Sequence, residues 1–287
     1  MTAEKEGLAA AERFREAHHL GVQPLGDLVA VIEQATGIDV AVLDAGPDEH
    51  GLTMRDPLRD TVFIGVARTR NPMRQRSTLA HELGHVLRGD WTDNSVDAWS
   101  ERTAGEIRAD AFARHLLIPL DGLREFFSAR GTATEADLST VVQRFLVSPA
   151  IASIALHQAR YIDDATKQEW MSASAPQLAT RFGWSDQYQA LQSSSDQRRP
   201  PQRLLARAIR GYAEGVLSAQ AIATLRGITL EAAEAELQDA GVMPSEHPAE
   251  WADAVDLPQV VVDLEALNED LNALDGDHYT VSERDAR

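Results

Sequence analysis

Residues 77–90, STLAHELGHVLRGD, constrain this chain more than any other stretch, because they contain His81-Glu82-Leu83-Gly84-His85. An α-helix completes a turn in about 3.6 residues, so side chains four apart share a face and two imidazoles can converge on one metal ion. Glu82 follows the first His directly, where its carboxylate can approach a water on that ion instead of the ion itself. The expectation is His81 and His85 as zinc ligands and Glu82 as general base. Leu79, Leu83, Val86 and Leu87 lay an apolar stripe beside the His pair, as in a buried amphipathic helix. Ser77 and Thr78 are its candidate caps and Gly89 its stop. Surface histidines that merely pack or pair are the competing explanation. It is disfavoured, because two His and a Glu beside an apolar stripe are costly to bury without a metal or a partner.

A catalytic zinc needs a third protein ligand and an open position for water. Residues 100–119, SERTAGEIRADAFARHLLIP, read as the next helix, with Ile107, Phe112, Leu116 and Leu117 at near-helical spacing. Glu106 and Asp110 lie four apart on one side of it. Glu106 is the candidate third ligand. Asp110, one turn on, is the candidate acceptor for the other ring N–H of a ligand His, which would hold the correct tautomer. On periodicity alone Glu101 and Asp97 compete with Glu106.

The motif LAHELGHVL followed by E-x-x-A-D-x-F-A-x-x-L-L-x-P (Glu106, Ala109, Asp110, Phe112, Ala113, Leu116, Leu117, Pro119) resembles the ImmA/IrrE family of metallo-endopeptidases. The upstream stretch AAERFREAHHLGVQPLGDLVAVIEQATGIDV is similar to that family's N-terminal region. LSTVVQRFLVSPAIASIALHQARYI is similar to its helix-turn-helix-like module. The resemblance spans residues 10–161. It implies His81, His85 and Glu106 as ligands and Glu82 as catalytic base, in the manner of gluzincins. It also implies a substrate, a helix-turn-helix transcriptional repressor whose cleavage derepresses stress or mobile-element genes. The cofactor expected is Zn2+, with Mn2+ as the alternative.

The fold class expected is α+β: a mainly helical, zincin-like peptidase with a small three-stranded sheet, then helix-turn-helix-like and C-terminal helical regions. Its 287 residues suit about two domains. The absence of cysteine excludes disulfides and thiolate metal sites, so a zinc site must use His and carboxylates. The N-terminal residues are charged and lack the apolar core of a signal peptide, and no run reaches the length of a membrane span. A cytoplasmic location with no membrane partner follows as the expectation.

Charge is unevenly placed. Of the net −18, residues 229–287 carry sixteen acids against Arg284 and Arg287, a net of −14, which leaves −4 for the rest. An acidic tail disfavours nucleic acid and suits a basic protein partner, although a solvated tail accounts for the same charge. From this comes a second functional reading: a non-proteolytic regulator that sequesters a basic DNA-binding repressor through its acidic C-terminal region.

In chain order, two helices (residues 9–19 and 24–36) precede three expected strands at residues 38–44, 50–56 and 61–67. Residues 62–67 are the expected edge strand. Arg68, Arg70, Arg74 and Arg76 read as an exposed loop before the metal-binding helix, and residues 91–99 as a polar loop. The expected helix-turn-helix pair, residues 138–145 and 148–161, offers few side chains for reading bases, so packing or substrate docking is preferred over DNA binding. His50, His115, His157 and Tyr161 are all candidates to stabilise an oxyanion, and that role stays unassigned. The domain division expected is 1–128 for the peptidase, 129–192 for the helix-turn-helix-like region, 193–201 (SSSDQRRPP) as linker, and 202–287 for the C-terminal helices and acidic tail.

Overall fold

Capping residues fence the apolar runs, and most helices begin at these fences. The computed structural model describes residues 2–45, 51–56, 58, 61–89, 103–127 and 131–245. Thr2 caps α1 (Ala3–Ala17), and the Asp27 carboxylate accepts from Ala30 N at 3.2 Å to start α2 (Leu28–Thr36). Gly37 ends α2 with φ 71°, in the left-handed region open to glycine.

Three short strands follow: β1 (Asp39–Leu43), β2 (Gly51–Asp56) and β3 (Thr61–Ala67). Their order is β1-β3-β2, with β1 parallel and β2 antiparallel to β3. β3 is therefore central, not the edge that its residues 62–67 were expected to form. The reason lies in its composition. Ile64 and Val66 are buried together with Gly65 between them, and a strand covered on both faces reads as a continuous apolar run. β2 is an edge, with Leu52 and Met54 half exposed. The far edge, β1, is covered: Val42 N donates to Arg199 O at 2.8 Å and Arg199 N to Val42 O at 3.0 Å. The stretch expected as a linker thus lies against the sheet, and Ser195 Oγ adds a bond to Thr69 O at 2.7 Å.

The next two helices cross at a glycine. α3 (Pro72–Arg88) starts at Asn71, whose side chain accepts from Arg74 N at 3.2 Å, five or more residues before the expected caps. Pro72 at the first helical position and Gly89 at φ 67° fit the usual asymmetry of helix ends. Arg74 and Arg76 therefore belong to the helix and not to a loop. The Arg76 guanidinium bonds the carbonyls of Leu25, Gly26 and Leu146, tying three segments together. α4 (Ala104–Leu117) begins at its cap Thr103. A Cβ on Gly84 would sit 3.1 Å from Phe112 Cδ1 and 3.2 Å from Ala109 Cα. A side chain here would push its neighbours back by a few tenths of an ångström, so glycine suits the close approach of α3 and α4. On its other side α4 packs along α1, where Gly7 lies against Ala111 and the Arg108 carbonyl.

Beyond them come α5 (Leu120–Phe127), α6 (Glu135–Phe145) and α7 (Pro149–Gln158). α6 and α7 meet at 111° across a turn where Leu146 adopts φ 54° and Ser148 caps α7, a helix-turn-helix geometry. Helices α8 (Asp164–Met171), α9 (Ala175–Arg181) and α10 (Ser185–Ser195) bury Trp170, Leu178, Trp184 and Tyr188 in the same core as the sheet. Helices α11 (Gln202–Ala213), α12 (Ala219–Arg226) and α13 (Leu230–Asp239) gather a small core of their own around Ile222 and Leu237. The architecture is mainly helical α+β with one mixed three-stranded sheet. Among the described residues no single helix is long and apolar enough to cross a membrane. The polar loop at 91–99, the alternatives Asp97 and Glu101, His50, and the tail beyond residue 245 lie outside the described residues.

Candidate metal centre

α3 carries His81 and His85 on one face, and their Nε2 atoms lie 3.0 Å apart with the rings edge to face. α4 supplies the carboxylates. Thr103 accepts from Glu106 N at 3.2 Å, so the cap that starts α4 also places Glu106 in its first turn. Glu106 Oε2 is 3.2 Å from His81 Nε2, and Oε1 is 3.4 Å from His85 Nε2. One donor atom from each of the three residues lies within 4.8 Å of the others. Asp110 Oδ1 accepts from His81 Nδ1 at 3.0 Å. A proton kept on Nδ1 leaves the Nε2 lone pair bare.

These residues fit a metal ion. A tetrahedral site with bonds of about 2.1 Å holds its donors about 3.4 Å apart, close to the spacings found here. Two imidazole lone pairs and a carboxylate turned toward one point repel one another unless a cation or a proton lies between them. Burial works against a charge on His81, but the Asp110 hydrogen bond and the charges of Asp110, Glu106 and Glu82 outweigh it and raise its pKa above the ordinary value. The His side chains are mostly covered, whereas those of Glu106 and Asp110 are 40% and 38% exposed, so solvent reaches the centre from the carboxylate side.

Glu82 points to the sheet. Thr53 Oγ1 donates to Glu82 Oε2 at 2.6 Å, from the edge strand β2. A Cβ on Gly51 would lie 2.7 Å from Glu82 Oε1, so the strand can pass this carboxylate only where a side chain is missing. The sequence reading missed Thr53, Gly51 and Gly84. A signal was present for Gly84, an unneeded helix breaker inside a helical motif. None was available for Thr53, which meets Glu82 from 29 residues away.

The remaining candidates are engaged elsewhere. His115 is buried near Glu4, with 3.8 Å between Nε2 and Oε1. His157 faces Asp164 at 3.3 Å, and Tyr161 stacks on Phe127 with ring centroids 4.3 Å apart. Arg68 pairs with Asp44 at 2.6 Å.

An HExxH helix crossed by a helix that carries a glutamate, beside a small mixed sheet, defines a zincin-like α+β domain of the metallopeptidase type. Residues 33–157 match the family model Peptidase_M78, described as an IrrE N-terminal-like domain. Over these residues, fewer than half of the chain, the sequence is similar to the IrrE N-terminal-like domain of a metallopeptidase family. The match begins within α2 and ends within the last turn of α7, and α1 lies outside it. No curated protein matches the chain.

Proposed function

We propose that the chain is a zinc-dependent endopeptidase whose substrate is a helix-turn-helix transcriptional repressor, and that cleavage releases the genes this repressor controls. His81, His85 and Glu106 hold the zinc, Asp110 orients His81, and Glu82 is the general base. The observation that carries this reading is the convergence of His81 Nε2, His85 Nε2 and the Glu106 carboxylate. Zinc bound there supplies a Lewis acid for the scissile carbonyl and brings the pKa of its water near neutrality.

The chain's own groups do the rest. Thr53 holds Glu82 Oε2, so Oε1 is the oxygen that takes a proton from the attacking water and passes it to the leaving amine nitrogen. Among the described residues β2 has a neighbouring strand on its β3 side alone, and an extended substrate segment pairs along its other side as an added strand. That pairing lays the scissile bond beside Glu82, whose partner Thr53 stands on the same strand.

Co-expression with the repressor encoded nearby tests the proposal. Glu82→Gln is expected to keep its metal, measured by elemental analysis, and to lose cleavage by roughly 10²–10⁴-fold. His81→Ala should lose the metal as well. Full-rate cleavage by Glu82→Gln would remove Glu82 from the mechanism. Derepression by Glu82→Gln without any fragment would favour sequestration of the repressor, which needs no base.

A further inference from the structure

β2 carries a second feature beside its backbone edge. Side chains along a strand alternate between the two faces of its sheet. The odd-numbered residues of β2 turn toward α3, since Thr53 bonds Glu82 and a Cβ on Gly51 would meet Glu82 and Thr78. Leu52 and Met54 therefore lie on the opposite face. They are 49% and 50% exposed, and neither packs against the core. Across the ladder Leu52 pairs with Gly65 and Met54 with Phe63. Leu43 Cδ1 and Phe63 Cε1 lean over Gly65, 3.1 and 3.3 Å from where a Cβ would stand. An apolar surface thus runs across the sheet from Leu43 on β1 and ends at Leu52 and Met54.

Edge strands are ordinarily blunted by Lys, by Pro or by a bulge, because an exposed apolar edge invites another strand. β2 has neither Lys nor Pro, and its one basic residue, Arg55, falls on the α3 face. Its register with β3 runs without a bulge from Gly51 to Asp56. The strand that holds the Glu82 carboxylate is therefore also one built to accept a neighbour.

We propose that Leu52 and Met54 select the substrate: the segment that pairs along β2 carries apolar side chains, β-branched or aromatic by preference, at the two positions opposite them. This rests on the peptidase reading above and deepens it. Residues directly opposite in paired strands have Cβ atoms about 4.5–5.5 Å apart, so each such pair is in contact. The substrate residue between them turns to the other face, toward Thr53 and Glu82. An apolar-x-apolar pattern belongs to a strand, whereas the apolar residues of an amphipathic helix recur at three and four. The segment cut is accordingly a strand or an extended linker of the substrate protein, and not one of its DNA-binding helices.

The test incubates the zinc-loaded full chain with an amine-blocked tryptic digest of a whole proteome. New N-termini are sequenced by mass spectrometry, with Glu82→Gln as the blank. Val, Ile, Leu, Phe and Tyr are expected to be enriched about threefold at two positions near the cut, separated by one residue. Leu52→Lys should abolish the enrichment at one of these positions and admit Asp and Glu there. Met54→Lys should do the same at the other. Both side chains are half exposed, so both variants should keep their metal, measured by elemental analysis. Should a lysine variant fail to fold, Leu52→Thr and Met54→Thr decide, each lowering the enrichment at its own position alone. Glu82-dependent cuts without this spacing, or a profile that substitution at 52 and 54 leaves unchanged, overturn the selection and leave the peptidase standing. The absence of any Glu82-dependent cut overturns the peptidase reading, and the selection with it.

Discussion

At the scale of single residues, the side chain that most repays attention is Thr53. Its hydroxyl ties Glu82 Oε2 to the edge strand, while Gly51 leaves the room in which that carboxylate sits. Thr53→Val keeps the shape and removes the donor. Metal content should be unchanged and repressor cleavage about tenfold slower, the worth of one hydrogen bond to a charged group, with Thr53→Ser restoring the rate. Equal rates for Val and Ser would show that the bond is idle. His115 makes a different forecast. In the unfolded chain it takes up a proton near its ordinary value of 6.5, while in the folded protein burial delays this to about 4. The unfolded state therefore binds more protons across that window, and folding stability falls as pH drops from 6.5 to 4, by about 3 kcal/mol in all. Urea unfolding at a series of pH values reads this slope, and His115→Phe should flatten it.

At the scale of elements, the crossing of α3 and α4 makes the centre. The His pair shares a face by helical periodicity alone, but Glu106 joins it only because Gly84 admits α4 at Phe112 and Ala109. Gly84→Val would force the helices apart, since no neighbour in that contact is a flexible chain end. The expected result is a loss of about 1–3 kcal/mol in stability and much weaker metal binding, with both histidines still in place. Wild-type metal affinity in this variant, read by competition with a chromogenic chelator, would mean that the crossing does not position Glu106. The sheet shows the same dependence on neighbours. Strand positions were legible in the alternation and turns, but which strand stood at the edge was not. β3 became central because β1 and β2 flank it, and β1 lost its open side to Arg199.

For the whole molecule, the proposed metal binding would be linked to folding. An ion that binds only the folded state stabilises it by about 2.7 kcal/mol at a hundred times its dissociation constant, so chelation should lower the melting temperature measurably. A proton would compete with a metal ion at His81. Its raised pKa means that this competition begins above pH 6.5, so metal affinity should weaken progressively on acidification from there. In the metal-free protein the sign reverses for stability. The proton on His81 contributes fully below 6.5 and is lost as pH rises through the raised folded value. Thermal unfolding with and without chelator across this range separates the two effects.

Sequence by itself determined what local chemistry governs: that the runs around the metal motif and the helix-turn-helix pair are helical, and that His81 and His85 face one way with Glu82 beside them. These follow from periodicity within a few turns of chain. Tertiary structure decided what comes from far along the chain. It brought Glu106 to the His pair, Thr53 to Glu82, Arg76 to three carbonyls, and residues 195–199 to the sheet. Spacing along the chain is blind to such contacts, because a close approach between two elements depends on small residues and filled volume that are tested only when the elements meet.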